Sequence, residues 1–154
     1  MLKYITTVVT FAEIPDEITL CINITGCPNH CEGCHSKFLW KDVGTELTPS
    51  IVEIMLKHNK GISCVCFMGG DQEPETVNVL AECIPENVKV AWYSGKEGIP
   101  ECINLFSFDY IKLGPYIEEY GGLDNPNTNQ KLFRIDHEYG KNFLVDITSK
   151  FWKK

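Results

Sequence analysis

Three cysteines, Cys27, Cys31 and Cys34, stand within eight residues of the chain, separated by three and then by two residues. Three thiolates on one short loop can hold three irons of a [4Fe–4S] cube, whereas such clusters normally take four cysteines. The fourth iron would then lack a protein ligand, and an open metal position is typical of a site that binds a further molecule. The spacing therefore predicts a cluster with one iron open to a ligand.

Two other kinds of site could use three clustered thiolates. A zinc ion could take them together with His30 or His35, because Cys₃His zinc sites are common. An ordinary ferredoxin cluster would need a fourth cysteine, which bacterial ferredoxins supply in a nearby Cys-Pro pair. The next cysteine is Cys64, inside an apparent buried strand. Zinc therefore remains the main alternative.

The chain has eight cysteines in all, and its first residues lack the pattern of a secretory signal. Residues 1–17 contain one lysine, a short apolar run and then three acidic residues. We therefore expect a reducing cytoplasm, where clustered cysteines are metal ligands or reactive thiols rather than disulfides. We expect the remaining cysteines to be buried as small apolar residues: Cys21, Cys64, Cys66, Cys83 and Cys102.

Length and composition predict a single globular domain over residues 1–154. Apolar residues make up 44% of the chain and charged residues 23%, as in ordinary globular proteins. The formal net charge of −7 disfavours a phosphate-binding surface, so we expect no nucleic-acid partner. The apolar run near the start is too short for a transmembrane helix, so we expect no membrane association.

A second group of candidate residues follows the strand predicted at 62–68, where Gly69, Gly70 and Asp71 stand in succession. Glycines at the end of a strand allow the backbone to approach a ligand closely. A neighbouring carboxylate can accept hydrogen bonds from a ligand ammonium group. Most Gly-Gly-Asp triplets are simple turns, but active sites of parallel α/β sheets lie at this end of the strands.

Trp92, Tyr93 and Ser94 end the next predicted strand on the same edge. Two interpretations remain open for them: aromatic residues of the core followed by a turn, or contacts to a cofactor. Asp109 and Lys112 belong to the strand after that. For these two we expect an ion pair or exposure to solvent.

Strands, glycine loops and helices alternate through the middle of the chain, which favours βα units with a parallel sheet. The predicted strands lie at 18–25, 62–68, 88–93 and 108–113, the helices begin near Thr48 and Pro74, and late strands lie at 131–136 and 142–148. A complete (β/α)₈ barrel needs about 250 residues, and at least roughly 200. We therefore expect an α/β fold that is a partial, open (β/α) barrel with a mostly parallel sheet.

Together, these segments resemble the radical S-adenosylmethionine (radical SAM) superfamily. Within it they resemble the activating proteins of anaerobic ribonucleoside-triphosphate reductases, which are small glycyl-radical-enzyme activases with a partial-barrel fold. The resemblance extends over most of the chain, and the segments that carry it are residues 24–35, Trp40, and residues 68–71, 92–95, 108–116 and 128–130.

The resemblance implies roles for individual residues. Cys27, Cys31 and Cys34 would bind the cluster. S-adenosylmethionine would be contacted by Gly33, Cys34 and His35 beside the cluster, by Gly69, Gly70 and Asp71 around its methionine end, and by Tyr93 and Ser94. Gly33 and His35 stand where many superfamily members have an aromatic residue. Asn129 and Gln130 resemble the tail of this branch and have no physical role that the sequence indicates.

The resemblance also implies an activity. The enzyme would be an oxidoreductase whose cluster cleaves S-adenosylmethionine reductively to a 5′-deoxyadenosyl radical. That radical would take a hydrogen atom from a glycine Cα in the glycyl-radical subunit of the reductase, and an electron donor such as flavodoxin would reduce the cluster. Two alternatives stay open: an activase for another glycyl-radical enzyme such as a formate-lyase, and a non-catalytic Cys₃His zinc-binding adaptor.

Overall fold

One sheet of eight strands runs through the molecule in the computed structural model, which describes residues 1–28 and 41–152. The strands are β1 Lys3–Thr10, β2 Thr19–Ile24, β3 Thr45–Glu46, β4 Cys64–Met68, β5 Lys89–Tyr93, β6 Tyr110–Leu113, β7 Lys131–Glu138 and β8 Lys141–Asp146. The two α-helices of the described residues are α1 Pro49–His58 and α2 Pro74–Glu82. Across the sheet the strand order is β3-β1-β2-β4-β5-β6-β7-β8.

The sheet is mixed. Strands β2, β4, β5 and β6 run parallel to one another and form its centre. Antiparallel pairing joins β1 to both β2 and β3 on one side, and joins β6 to β7 and β7 to β8 on the other. We call the four central strands the parallel block, because they position the candidate site.

The predicted partial, open (β/α) barrel with a mostly parallel sheet is wrong. Four of the seven pairings are antiparallel, partly because β1, which the sequence pattern did not predict, forms a hairpin with β2. The late strands form a second hairpin beside β6. Between β5 and β6 the described chain has only a short 3₁₀ turn, Leu105–Ser107, where a barrel would place a helix.

The individual elements were predicted better than their assembly. The strands expected at 18–25, 62–68, 88–93 and 108–113 are confirmed as β2, β4, β5 and β6, with somewhat shorter bounds. Helix α1 begins as expected, because the Thr48 side chain accepts a 3.2 Å hydrogen bond from the backbone N–H of Ile51 and Pro49 occupies the first turn. Helix α2 likewise starts at Pro74.

Both faces of the parallel block are covered, as is usual for parallel strands. One face packs against buried residues of α1 and α2, namely Val52, Met55, Val77, Leu80 and Ala81. The other carries Cys21, Cys64, Cys66, Ala91 and Tyr110, which cluster with Ile14 and Ile147. Most side chains on these strands are therefore buried, whereas Lys89 at the start of β5 is exposed.

The prediction that the other five cysteines are buried is confirmed for three of them. Cys21, Cys64 and Cys66 are buried, and burial raises the pKa of the Cys64 and Cys66 thiols. Cys83 and Cys102 are exposed, so the prediction is wrong for these two. Among the helices of the described residues, none has the length and apolar composition that a membrane crossing requires.

Candidate functional site

The cysteine segment begins at the carboxyl end of β2. Gly26 turns the chain with a φ of +75°, a conformation that favours glycine. The Thr25 hydroxyl donates a 2.6 Å hydrogen bond to the Val43 carbonyl, which holds the start of the turn. Cys27 follows and is half-buried. Four predicted site residues, Cys31, Gly33, Cys34 and His35, lie outside the described residues.

A side-chain amide connects this turn to the loop after β4. Gln72 Nε2 donates a 2.7 Å hydrogen bond to the carbonyl of Thr25. A Cβ atom at Gly26 would lie only 2.9 Å from the same nitrogen, so the contact needs a glycine there. The loop that leads into the cysteines and the loop that contains Asp71 are therefore held side by side.

Gly69 and Gly70 make room for protein packing. Both have positive φ angles, +113° and +95°. A Cβ atom at Gly70 would lie 2.5 Å from Val77 Cγ2 in α2, and one at Gly69 would lie 3.1 Å from the Ile24 carbonyl oxygen. The Gly69 carbonyl itself accepts a 2.7 Å hydrogen bond from Trp92 Nε1. A side chain at Gly70 would thus meet helix α2. The expected contact of Gly69 and Gly70 with a cofactor stays a prediction.

Asp71 connects the loop that follows β4 to the loop that follows β5. Its Oδ1 accepts a 2.6 Å hydrogen bond from the Ser94 hydroxyl, and its Oδ2 accepts a 2.8 Å hydrogen bond from the Gly95 backbone N–H. Ser94 is fully buried. Hydrogen bonds to a carboxylate are stronger than those between neutral groups. Two residues that the sequence pattern placed on one edge, Asp71 and Ser94, are therefore in direct contact.

Lys112 also lies at this edge, although the sequence pattern did not indicate it as a site residue. Lys112 is only 8% exposed, so the expectation of exposure to solvent is wrong. The Lys112 ammonium group donates to the Ser94 carbonyl at 3.1 Å and to the Gly114 carbonyl at 2.8 Å. One feature of the sequence could have predicted this burial: Lys112 belongs to a strand that is covered on both faces. A lysine in such a strand must find hydrogen-bond acceptors inside the protein.

Tyr93 lies next to Lys112 and faces the same side of the sheet. The two residues are register partners on β5 and β6, and the Lys112 Nζ atom is 6.0 Å from the centre of the Tyr93 ring. The Tyr93 hydroxyl donates a hydrogen bond to the Glu13 backbone carbonyl. Burial, together with the nearby Cys66 and Glu13, raises the pKa of Tyr93. Tyr93 therefore fixes the loop between β1 and β2 against this face as a neutral phenol.

These contacts form a connected network along the carboxyl edge of the parallel block. Hydrogen bonds join Thr25 to Gln72, Asp71 to Ser94, and Ser94 to Lys112. We call these five residues the carboxyl-edge network. It brings one carboxylate and one buried ammonium group to either side of Ser94, close to the start of the cysteine segment. Such a pair suits a ligand that carries both a positive and a negative group.

Within the described part of the chain, no three His, Cys, Asp or Glu side chains come close enough together to hold a metal ion. Cys27, the predicted cluster ligand that lies inside that part, fits the expected site in two respects. It is half-buried, and it directly follows the edge where Asp71 and Lys112 lie. A thiolate donor at this place suits iron or zinc.

No protein-family model matches the chain, and no curated protein or solved structure is significantly similar to it.

Proposed function

We propose that the protein is a radical SAM activase, an oxidoreductase that generates a glycyl radical on the anaerobic ribonucleoside-triphosphate reductase. One observation carries the proposal. The segment with three cysteines, in the spacing Cys27, Cys31, Cys34, starts beside a network that contains a carboxylate and a buried ammonium group. The proposal depends on this edge of parallel strands and needs no barrel.

Cys27, Cys31 and Cys34 would hold a [4Fe–4S] cluster through three of its irons. When bound, the cluster supplies the electron for the reductive cleavage of S-adenosylmethionine. The protein contributes binding, orientation and exclusion of water, as is general for enzymes whose cofactors carry the reaction. In the described chain, Ser94, Lys112 and Trp92 at this edge are buried, and Trp92 donates a hydrogen bond to the Gly69 carbonyl.

The carboxyl-edge network would bind the methionine end of S-adenosylmethionine, which carries an ammonium and a carboxylate group. The Asp71 carboxylate would attract the ammonium group. The Lys112 ammonium would attract the carboxylate, with the strength that a buried charge gives to such interactions. Ser94 lies between the two charged groups and would keep them apart. Its hydroxyl donates to the Asp71 carboxylate, and its backbone carbonyl accepts from the Lys112 ammonium group.

The substrate would be a glycine Cα–H in the reductase, and an electron donor such as flavodoxin would act in the cytoplasm. The acidic balance of the chain, −7 in formal net charge, supports a protein substrate over a nucleic acid.

The proposal is tested by mixing the reduced protein anaerobically with S-adenosylmethionine and the reductase. We expect 5′-deoxyadenosine and an electron paramagnetic resonance doublet from a glycyl radical. The doublet should lose its main splitting when the reductase carries glycine deuterated at Cα, because the remaining α-hydrogen causes that splitting.

Two controls separate the alternatives. A doublet on a formate-lyase but not on the reductase would assign the activase to another glycyl-radical enzyme. Zinc without sulfide in the purified protein, and no cleavage of S-adenosylmethionine, would contradict the proposal and support an adaptor. Cleavage that proceeds equally well without any protein partner would point to a small-molecule enzyme.

A further inference from the structure

Asn129 and Gln130 hold the turn that follows β6. Asn129 Nδ2 donates a 3.0 Å hydrogen bond to the Pro115 carbonyl, and Gln130 Nε2 lies 3.5 Å from the Gly114 carbonyl oxygen as a second donor. Gln130 is buried, and the Asn129 side chain is partly buried. Because a carbonyl oxygen can only accept, the amide of Asn129 cannot be reversed without placing two oxygens against each other. These two side chains therefore act here as donors.

The same turn is shaped by close backbone contact. Gly114 has a φ of +106°, and a Cβ atom there would lie 3.2 Å from Gln130 Cα and 3.3 Å from the Asn129 carbonyl oxygen. Its carbonyl accepts the 2.8 Å hydrogen bond from Lys112 Nζ. The Gly114 oxygen is thus shared between the buried ammonium and the amide of Gln130. Any shift of the turn would therefore move the Gly114 carbonyl, which is an acceptor for Lys112.

We propose that Asn129 and Gln130 are positioning residues that fix the Lys112 ammonium at the carboxyl edge through the Gly114–Pro115 turn. The ligand of Lys112 rests on the function proposed above, whereas the positioning itself rests on the contacts of the turn. A lysine side chain has several rotatable bonds and needs fixed acceptors to stay in one conformation when it is buried.

The chemistry of the two amides suits this task. A carboxylate at either position could not donate to the turn, and it would bring a negative charge close to Lys112. An apolar side chain would leave the carbonyl of Gly114 or Pro115 without this donor. Asn129 even keeps a buried Oδ1 with no hydrogen-bond partner in the described structure, so the contribution of its amide here comes from the nitrogen. Amides therefore hold the turn without bringing a negative charge close to Lys112.

The first test needs no cluster. Lysine ammonium protons that are buried and hydrogen-bonded exchange slowly with water, and ¹⁵N-lysine labelling makes them visible by nuclear magnetic resonance. In the full-length protein, the Lys112 ammonium signal is identified by its loss in Lys112→Met. We expect its exchange to quicken about 10-fold or more in Asn129→Leu and in Gln130→Met, which keep side-chain size but remove the donor. Asn127→Leu is the matched control, because Asn127 is exposed in the same loop.

The second test uses the enzyme with its cluster. In Asn129→Leu we expect the KM for S-adenosylmethionine to rise about 10-fold, the effect of one hydrogen bond to a charged group, with kcat changed less than about twofold. Asn129→Leu should not raise the KM further in a protein that already carries Lys112→Met. If Asn129 acts through Lys112, the effects of the two substitutions on KM do not add.

Unchanged Lys112 exchange in both variants would overturn the proposal, and so would full additivity with Lys112→Met. Faster exchange in a protein that binds no S-adenosylmethionine in any form would uphold the positioning of Lys112 and contradict the proposed ligand. If Gln130→Met does not fold, Asn129→Leu alone still tests the proposal, because Asn129 is less buried than Gln130.

Discussion

The side-chain amide of Gln72 lies 2.7 Å from the backbone carbonyl of Thr25 and donates a hydrogen bond to it. The contact joins two loops that are 47 residues apart in the chain. One of them leads into the three cysteines, and the other carries Asp71. Thr25 is buried and the bond is partly buried, whereas Gln72 itself is exposed, so the donor can be removed without opening the core.

Removal of the Gln72 amide should loosen the start of the cysteine segment. We expect Gln72→Ala to lower the free energy of unfolding by about 0.5–1.5 kcal/mol. It should also speed hydrogen exchange of the Gly26 backbone N–H, which donates to the Lys41 carbonyl at 3.0 Å. Asn78→Ala is the control, because it removes a side-chain amide of α2 that donates to Glu82 and accepts from the Asn104 backbone N–H. Equal exchange at Gly26 in both variants would show that Gln72 does not hold the turn.

Cys27→Ala should abolish the iron and sulfide content of anaerobically purified protein and its cleavage of S-adenosylmethionine. The reason is that a cluster held by three thiolates cannot spare one of them. Cys83→Ser and Cys102→Ser are suitable controls, because both residues are exposed and their replacement disturbs no packing. If Cys27→Ala keeps its iron while either control loses it, the ligand assignment is wrong.

Gly70→Ala should destabilise the fold through α2. The added Cβ would lie 2.5 Å from Val77 Cγ2 at a φ of +95°. Gly61 has nearly the same φ, +96°, with nothing within 4 Å. Gly61→Ala therefore measures the backbone strain alone, roughly 1–2 kcal/mol, and Gly70→Ala should lose roughly 1–3 kcal/mol more through overpacking. Urea denaturation measures both.

A double variant tests whether Val77 causes the additional loss of stability in Gly70→Ala. Val77→Ala in the Gly70→Ala protein should recover part of the excess loss, because it removes the methyl groups that clash. Equal stability of Gly70→Ala and Gly61→Ala would contradict this packing and mean that the space beside Gly70 is open.

Glu13→Gln should stabilise the protein in a pH-dependent way. Burial raises the pKa of the Glu13 carboxyl above its ordinary value of 4.5, and the nearby Tyr93 hydroxyl group offsets part of that rise. The folded protein then binds this proton more tightly than the unfolded chain, so the contribution of Glu13 is most favourable below pH 4.5 and is lost as the pH rises through the folded pKa. Glutamine cannot ionise, so the stability of the variant does not fall with pH through this position.

The measurement is the difference in unfolding free energy between Glu13→Gln and the natural protein across that range. The difference should shift in favour of the variant as the pH rises above 4.5. A difference that is constant with pH would show that Glu13 has the same proton affinity in both states.

The short-range features of the chain could be predicted from its sequence. Residue types at Thr48, Pro49 and Pro74 set the starts of the helices, because capping and proline geometry act within one turn. The β-branched and apolar runs of β2, β4, β5 and β6 identified the strands. Strand β1 escaped prediction because it is largely exposed on both faces and so has no alternation of buried and exposed residues.

The spacing of Cys27, Cys31 and Cys34, and the place of Asp71 and Ser94 just after successive strands, were determined by the sequence itself. Because parallel strands all end at the same edge of a sheet, residues that follow them lie at that edge whichever strands pair at the sides of the block. Only the tertiary structure decided the antiparallel hairpins at both sides, the burial of Lys112 and its contact with Gly114. Those features depend on which strands become neighbours and in which register, and such pairings join residues far apart in the chain that no local pattern connects.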